Sequence, residues 1–162
     1  MVRRALKHLF TPDWVARRAF PPHTLRALEQ AIRDSEIKHR GEIRFAIEAG
    51  LSPAHLRIST RERARQVFAQ LGVWDTEENS GVLVYVQLVD RRIEIVADRG
   101  IAQRVAQAEW DAVCRAMERA FKRRDYQTGS LAAVGTVTDI LARHFPASGA
   151  NPNELPDKPA LL

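Results

Sequence analysis

The sequence is poor in cysteine and has no long apolar run. Cys114 is the only cysteine among 162 residues, so no internal disulfide can form and a reducing compartment is expected. No apolar run approaches the roughly 20 residues that span a bilayer. The N-terminal region lacks the long apolar stretch and small-residue cleavage site of a signal peptide. These absences predict a cytoplasmic protein, and the length predicts a single domain.

Familiar catalytic and nucleic-acid-binding motifs are also missing. The sequence contains no Walker loop, no pair of histidines at helical metal-binding spacing and no nucleophile elbow. The formal net charge of +5 is unevenly placed: residues 1–40 hold nine Lys/Arg and four Asp/Glu, whereas residues 41–162 hold 16 of each. A nucleic-acid-binding domain usually combines a basic stripe with a recognisable motif. We therefore expect no nucleic-acid partner.

The basic character belongs to an amphipathic N-terminal segment, residues 1–20. Its apolar Leu6, Leu9 and Phe10 alternate with basic residues, which is typical of helices that lie on an anionic membrane surface. The same pattern also suits a helix that packs on the domain, and both interpretations remain open. Residues 147–162 form a Pro/Asn-rich tail without periodicity. The sequence thus predicts a folded domain over residues 21–146, with peripheral membrane contact if the N-terminal segment binds lipid.

Hydrophobic periodicity predicts how the domain begins. An apolar stripe predicts a helix over residues 23–40, which Gly41 is expected to end. Alternation of apolar and polar residues then predicts a strand over residues 43–48. Ser59 and Glu62 have the spacing of a capping box, which predicts the start of a second helix.

A β-hairpin and two further helices complete the predicted domain. Apolar runs over residues 82–88 and 92–98 flank a short polar turn. Two apolar helical stripes follow, and the first places Cys114 in the core as a chemically inert side chain. A strand, a crossover helix and a second strand favour a parallel pair with a right-handed connection. The predicted fold is therefore an α/β three-layer αβα sandwich around a small mixed sheet of three to four strands.

The predicted topology brings acidic residues together at one end of the sheet. The first two strands are parallel and begin at the same edge, and the third strand returns through the hairpin to finish there. The preceding helix delivers its polar last turn to this edge. Clustered carboxylates repel one another, so their pKa values rise unless cations compensate. The residues expected at this acidic edge are Glu36, His39, Glu42, Asp75, Glu78 and Asp98, with Arg44 and Arg99 nearby.

Two interpretations of the acidic edge remain open. Carboxylate oxygens suit Ca²⁺ or Mg²⁺, which makes all six residues candidate metal ligands. Arg44 and Arg99 are then candidate ligands for a phosphate group. In the second interpretation, the same arginines compensate the carboxylates in a structural ion-pair network that binds no ion.

Several blocks of the sequence resemble the TPM-domain family, which is named for thylakoid, photosystem-repair and acetylcholine-receptor modulator members. The blocks are HRGEIRFAIEA, RERARQVF, VWDTEENSGVLVYV, DRRIEIVADRGI and NELPDKP, and the likeness is greatest to a small soluble bacterial branch. The resemblance implies an αβα sandwich around a small mixed sheet. It also implies links to acid phosphatase activity, to divalent-metal binding in a groove at the sheet edge, and to assembly or repair of membrane complexes.

The residues and the resemblance together support two hypotheses about function. The first is a non-enzymatic accessory module that binds a divalent metal and an unidentified protein partner at the acidic edge. The second is a metal-dependent, acid-phosphatase-like hydrolase, in which a metal and an arginine stabilise charge on phosphate. Ser80 and Thr76 lie in the loop before the hairpin, but no motif supplies either hydroxyl with a base. We therefore expect the binding module.

Overall fold

The computed structural model describes residues 2–12, 14–149 and 151–162. Met1, Asp13 and Ala150, which belong to the predicted N-terminal segment and tail, lie outside the described residues. Within these ranges no helix is long and apolar enough to cross a membrane. The helices are α1 (Val2–Leu9), α2 (Trp14–Ala19), α3 (Pro22–Ser35), α4 (Thr60–Gln70), α5 (Arg99–Ala102), α6 (Gln107–Lys122) and α7 (Tyr126–His144), with a 3₁₀ turn at His55–Arg57. The strands are β1 (Glu42–Glu48), β2 (Gly81–Gln87), β3 (Arg92–Ala97) and β4 (Ala160–Leu161).

The four strands form one mixed sheet in the order β3-β2-β1-β4. Strands β1 and β2 are parallel, with Glu42 opposite Gly81. Strands β2 and β3 are antiparallel, with Val82 opposite Ala97, and β4 adds to β1 as a parallel strand. A parallel pair requires a crossover connection, which α4 supplies between β1 and β2.

Apolar layers cover both faces of the sheet. Ile43, Phe45 and Ile47 of β1 are buried in the larger core, which includes residues of α2, α3, α6 and α7. The intervening Ala46 belongs to a second core with Val67 of α4 and residues of the C-terminal segment. Because successive side chains point to opposite faces of a strand, each strand serves both layers. The predicted three-layer αβα sandwich is therefore confirmed.

Helix α3 ends earlier than the sequence predicted. It ends at Ser35, whose Oγ donates a hydrogen bond to the Ile32 carbonyl at 2.6 Å. A short polar side chain of this kind competes with the backbone for hydrogen bonds and weakens helix continuation. A turn follows, and His39 pairs with Pro146 as an isolated β-bridge. The prediction that the helix runs to Gly41 is thus wrong.

Segments at both ends of the chain pack on the domain. Ala16 and Phe20 are buried in the larger core, and His8 is also buried. At the other end, Ala160–Leu161 supply β4, and Leu155 joins the second core. Residues 151–162 are therefore an integral part of the folded structure, which their Pro/Asn-rich composition did not indicate.

Cys114 lies half-buried on α6, against the larger core. Burial, and to a smaller extent the Glu94 carboxyl group, raises the pKa of the Cys114 thiol to about 12. Because the thiolate is the reactive form of cysteine, a thiol that stays protonated is chemically inert near neutral pH.

Candidate functional site

The acidic edge forms where strand ends meet, as the topology predicts. Strands β1 and β2 begin side by side, and β3 ends beside the start of β2. Gly81 lies so close to the Val73 carbonyl that a Cβ on residue 81 would clash with it. A Cβ on Gly100 would lie 2.6 Å from the Glu78 carbonyl oxygen. Glycine is needed at both positions, because only glycine lacks the Cβ. The first contact packs the connection after α4 against the start of β2, and the second packs the loop before β2 against the segment that follows β3.

Three carboxyl groups lie together beside the start of β1. Glu36 follows α3, Glu42 opens β1, and Asp157 of the C-terminal segment lies close enough to affect the charge of Glu36. Burial, with added repulsion from Glu42 and Asp157, raises the pKa of Glu36 to about 8. Burial raises the pKa of Glu42 to about 7, against the opposing effect of backbone N–H groups that donate to it. Near neutral pH, Glu36 is therefore mostly protonated and Glu42 is partly protonated.

The C-terminal segment covers this edge through polar contacts. Asn151 Nδ2 donates to the carbonyl oxygens of Glu36 and His39, at 3.3 and 3.2 Å. The backbone N–H of Leu155 donates to Glu42 Oε2 at 3.3 Å. These contacts were not predicted from the sequence, because more than a hundred residues separate the partners. The NELPDKP block, which resembles the family, was the one signal in the C-terminal segment.

Two arginines bind the C-terminal segment. Arg44 Nη1 donates to the carbonyl oxygen of Pro156 at 2.8 Å and also to that of Lys158. Arg33 Nε donates to Asp157 Oδ2 at 3.2 Å. Burial lowers the pKa of Arg44, and the charge of Asp157 partly offsets this effect. Arg44, a candidate phosphate ligand, is therefore committed in this structure to the chain's own C-terminal segment.

His39 is fully buried at the acidic edge. Burial lowers the pKa of its imidazole to about 4. The ring is therefore neutral at physiological pH. A neutral imidazole can accept a hydrogen bond or bind a metal through its unprotonated nitrogen.

The other predicted site residues lie in different surroundings. Asp98 is buried and caps α5, where its Oδ1 accepts a hydrogen bond from Arg99 N at 2.7 Å. Glu78 forms a surface ion pair in which Arg40 Nη1 lies 2.7 and 2.8 Å from its two oxygens. Asp75 and the Arg99 side chain are exposed. Within the described part of the chain, no group of three or more His, Cys, Asp or Glu side chains is arranged to hold a metal ion.

Buried polar atoms without a hydrogen-bond partner gather at the acidic edge. Within the described ranges, such atoms include Glu36 Oε1, both ring nitrogens of His39, Glu42 Oε1, Arg44 Nε, Ser80 Oγ and Asp98 Oδ2. Leaving a buried donor or acceptor unsatisfied costs about 1–3 kcal/mol, and buried polar groups normally have a partner. The acidic edge therefore keeps bonding capacity that a water molecule, an ion or a partner's polar group can satisfy.

Comparison with known proteins places this fold in a family. The family model of the TPM domain matches residues 16–140. The chain belongs to the TPM-domain family. This result confirms the resemblance noted in the sequence blocks. No curated protein matches the chain.

Solved structures resemble this TPM domain over most of its length. The BA42 protein from the psychrophilic bacterium Bizionia argentinensis is 30% identical, with 86% of this chain and 92% of that chain covered and a TM-score of 0.76. The N-terminal domain of the cg2496 protein from Corynebacterium glutamicum is 16% identical, with 79% and 74% covered and a TM-score of 0.51. The second similarity concerns the fold alone.

The matched region of the TPM domain does not contain the whole acidic edge. Asn151, Leu155 and Asp157 lie beyond the matched residues 16–140, yet all three contact residues of this edge. A segment that follows the matched region therefore completes the candidate site.

Proposed function

We propose that this TPM domain is a non-enzymatic binding module whose acidic edge binds a divalent cation, Ca²⁺ or Mg²⁺. The observation that supports the proposal is the set of buried polar atoms without partners at this edge, which number seven among the described residues. Four of them are carboxyl or hydroxyl oxygens, which are the hard ligands that both ions prefer. The donor atoms therefore fit the ion in kind.

The protonation of the edge gives a second reason. Near neutral pH, Glu36 is mostly protonated and Glu42 is partly protonated, because burial and repulsion disfavour their charged forms. A cation would stabilise both carboxylates and displace these protons. Glu36, Glu42 and Asp157 are the side chains that would hold it. In the structure these three side chains are not grouped closely enough to hold a metal ion by themselves, so backbone carbonyls and water would supply much of the coordination.

Thermal melts with and without ions test this proposal. An ion that binds only the native state raises the Tm by mass action, so Ca²⁺ or Mg²⁺ should raise it at a pH above the pKa of Glu36. Glu36→Gln combined with Glu42→Gln should abolish the rise. Glu62→Gln combined with Asp139→Asn removes two carboxylates from exposed helix positions and should preserve it. Melts that stay flat with Ca²⁺, Mg²⁺, Mn²⁺ and Zn²⁺ would refute cation binding.

Two exposed apolar side chains next to the edge support a protein partner. Ile37 follows Glu36 and is 78% exposed, and Trp74 precedes Asp75 and is 56% exposed. Exposed aromatic side chains are enriched where partner proteins bind most strongly. Trp74→Ala should therefore weaken capture of a partner without changing the Tm. If a binding partner has the same affinity for the Trp74→Ala protein as for the wild type, the surface around Trp74 is not part of the binding site.

The hydrolase hypothesis needs a nucleophile and a base that activates it. Thr76 Oγ1 accepts a hydrogen bond from Ser80 N at 2.9 Å, and Ser80 Oγ is buried without a partner in the described residues. No histidine or carboxylate among them bonds to either hydroxyl. We expect no turnover of p-nitrophenyl phosphate with any of the four ions. Turnover that is lost in Ser80→Ala would replace the binding module with the hydrolase.

A further inference from the structure

Helix α1 and the turn after it bury a histidine and expose apolar side chains. His8 is 3% exposed, its Nδ1 accepts a hydrogen bond from Leu51 N at 3.0 Å, and its Nε2 lies 3.2 Å from Asp90 Oδ2. Leu9 and Phe10, in contrast, are 61% and 75% exposed. A surface helix normally turns its apolar side toward the core. Here the polar residue holds the helix on the domain, and the apolar side remains available.

A basic cleft lies beside this helix. Its volume is about 790 Å³, and its lining includes Lys7, Arg18, Arg91 and Arg124. No described residue that lines it is Asp or Glu, and none of the four cations forms an ion pair with a described residue. Arg91 and Arg124 have φ angles of 52° and 64°. Arg91 lies in the turn between β2 and β3, and Arg124 follows the C-cap of α6; left-handed residues are common at both kinds of position.

We propose that the exposed apolar residues and the cleft form one docking surface for an anionic membrane. The apolar side chains would enter the lipid–water interface, and the cations would bind headgroup phosphates. Cations that form no ion pair with a described residue, next to exposed apolar groups, complement a surface that is negatively charged outside and apolar beneath. We name it the basic N-terminal surface; its members are Leu6, Leu9, Phe10 and Trp14 together with Lys7, Arg18, Arg91 and Arg124.

The basic N-terminal surface and the acidic edge lie at opposite ends of the sheet. The acidic edge is at the start of β2, whereas Leu88 and Val89, which line the cleft, follow the end of β2. A strand of this length spans roughly 20 Å, at about 3.3 Å per residue. Carboxylates at the acidic edge would therefore point away from a bound anionic membrane, which avoids repulsion and leaves that edge free.

Sedimentation of the full chain with vesicles tests whether the cations of the basic N-terminal surface contribute to membrane binding. The protein should sediment with phosphatidylcholine vesicles that contain phosphatidylglycerol, and binding should weaken as salt is added, because salt screens the attraction. Each cation near an anionic surface contributes a factor of about five in affinity, so Arg91→Gln with Arg124→Gln should weaken binding about 25-fold. The control, Arg65→Gln with Arg115→Gln, removes the same charge at exposed positions outside the cleft and should change affinity little.

Tryptophan fluorescence tests whether Trp14 enters the lipid–water interface of a vesicle. Trp14 and Trp74 are almost equally exposed, at 57% and 56%, but only Trp14 belongs to the basic N-terminal surface. Vesicles should shift the emission of the wild type to shorter wavelength. Trp14→Phe should remove this shift, and Trp74→Phe should retain it.

Three outcomes would overturn the membrane proposal. The first is absence of sedimentation with anionic vesicles. The second is equal weakening by the Arg91/Arg124 and Arg65/Arg115 pairs, which would indicate attraction by net charge alone. The third is binding of a single-stranded oligonucleotide that depends on Arg91 and Arg124, without binding to vesicles. None of these results depends on cation binding at the acidic edge.

Discussion

The buried ion pair between Arg63 and Glu48 is the polar interaction whose loss should destabilise this TPM domain most. Arg63 lies on α4 and Glu48 ends β1, and the two residues are 6% and 5% exposed. Arg63 Nη2 and Nε donate to Glu48 oxygens at 2.8 and 3.0 Å. The Tyr85 hydroxyl donates to Glu48 Oε2 at 2.5 Å. These bonds compensate both charges in a place that water does not reach.

Arg63→Met should remove the cation and leave the Glu48 carboxylate buried without compensation, at a cost of about 3–5 kcal/mol. In a domain of this size, each 1 kcal/mol corresponds to about 2–4 °C, so the Tm should fall by about 6–20 °C. Arg63→Met combined with Glu48→Leu removes both charges and should recover most of the loss. Tyr85→Phe deletes one hydrogen bond to a charged acceptor and should cost about 1.5–3 kcal/mol.

Urea denaturation followed by circular dichroism measures these differences in the free energy of unfolding. Arg40→Met is the matched control, because Arg40 pairs with Glu78 at the surface, where ion pairs contribute about 0–1 kcal/mol. A loss from Arg63→Met no larger than the loss from Arg40→Met would show that the buried pair contributes no more than a surface pair. An Arg63→Met/Glu48→Leu protein less stable than the Arg63→Met protein would show that an uncompensated Glu48 charge is not the cause of the loss.

Three further predictions concern protonation and a helix cap. Glu36 and Glu42 have native pKa values of about 8 and 7 against a reference value of 4.5, so the native state binds more protons than the unfolded state and loses stability as the pH rises toward 8. Glu36→Gln with Glu42→Gln should flatten this loss in melts across the same range, and an unchanged slope would contradict it. Cys114 should react slowly with a thiol reagent in the native protein and rapidly in urea; rapid native labelling would show that the thiol is accessible and ionised. Ser59→Ala removes the hydrogen bond from Glu62 N at 3.1 Å and should cost about 1 kcal/mol in urea denaturation. A loss no larger than that of an exposed mid-helix substitution would refute this role.

Features with a local physical cause were predicted from the sequence. The Ser59 cap depends on residues three positions apart, and the hairpin depends on two apolar runs around a short turn. The parallel pairing of β1 and β2 follows from the crossover helix between them. The end of α3 was predicted wrongly, because a Ser35 side-chain bond and the pairing of His39 with Pro146 outweigh the helical pattern.

The acidic edge was predicted in location but not in its contacts. The strand order places Glu42 at this end of the sheet, and the end of the helix that leads into β1 places Glu36 there. The partners of the charged groups depend on packing between distant parts of the chain: Glu78 pairs with Arg40, and Arg44 binds carbonyl oxygens of the C-terminal segment. The sequence contains no pattern from which these contacts between distant residues could be predicted.

For the N-terminal helix, the sequence predicts the helix itself but not the direction in which its apolar side faces. Amphipathic spacing in residues 1–20 indicates a helix, because alternation of apolar and basic residues is a property of the chain itself. The direction in which the apolar side points is a property of the packed protein. His8 meets the Leu51 N–H and the Asp90 carboxylate, so the helix is held by its histidine while Leu9 and Phe10 stay exposed. A buried polar group needs partners, and only the folded domain supplies them.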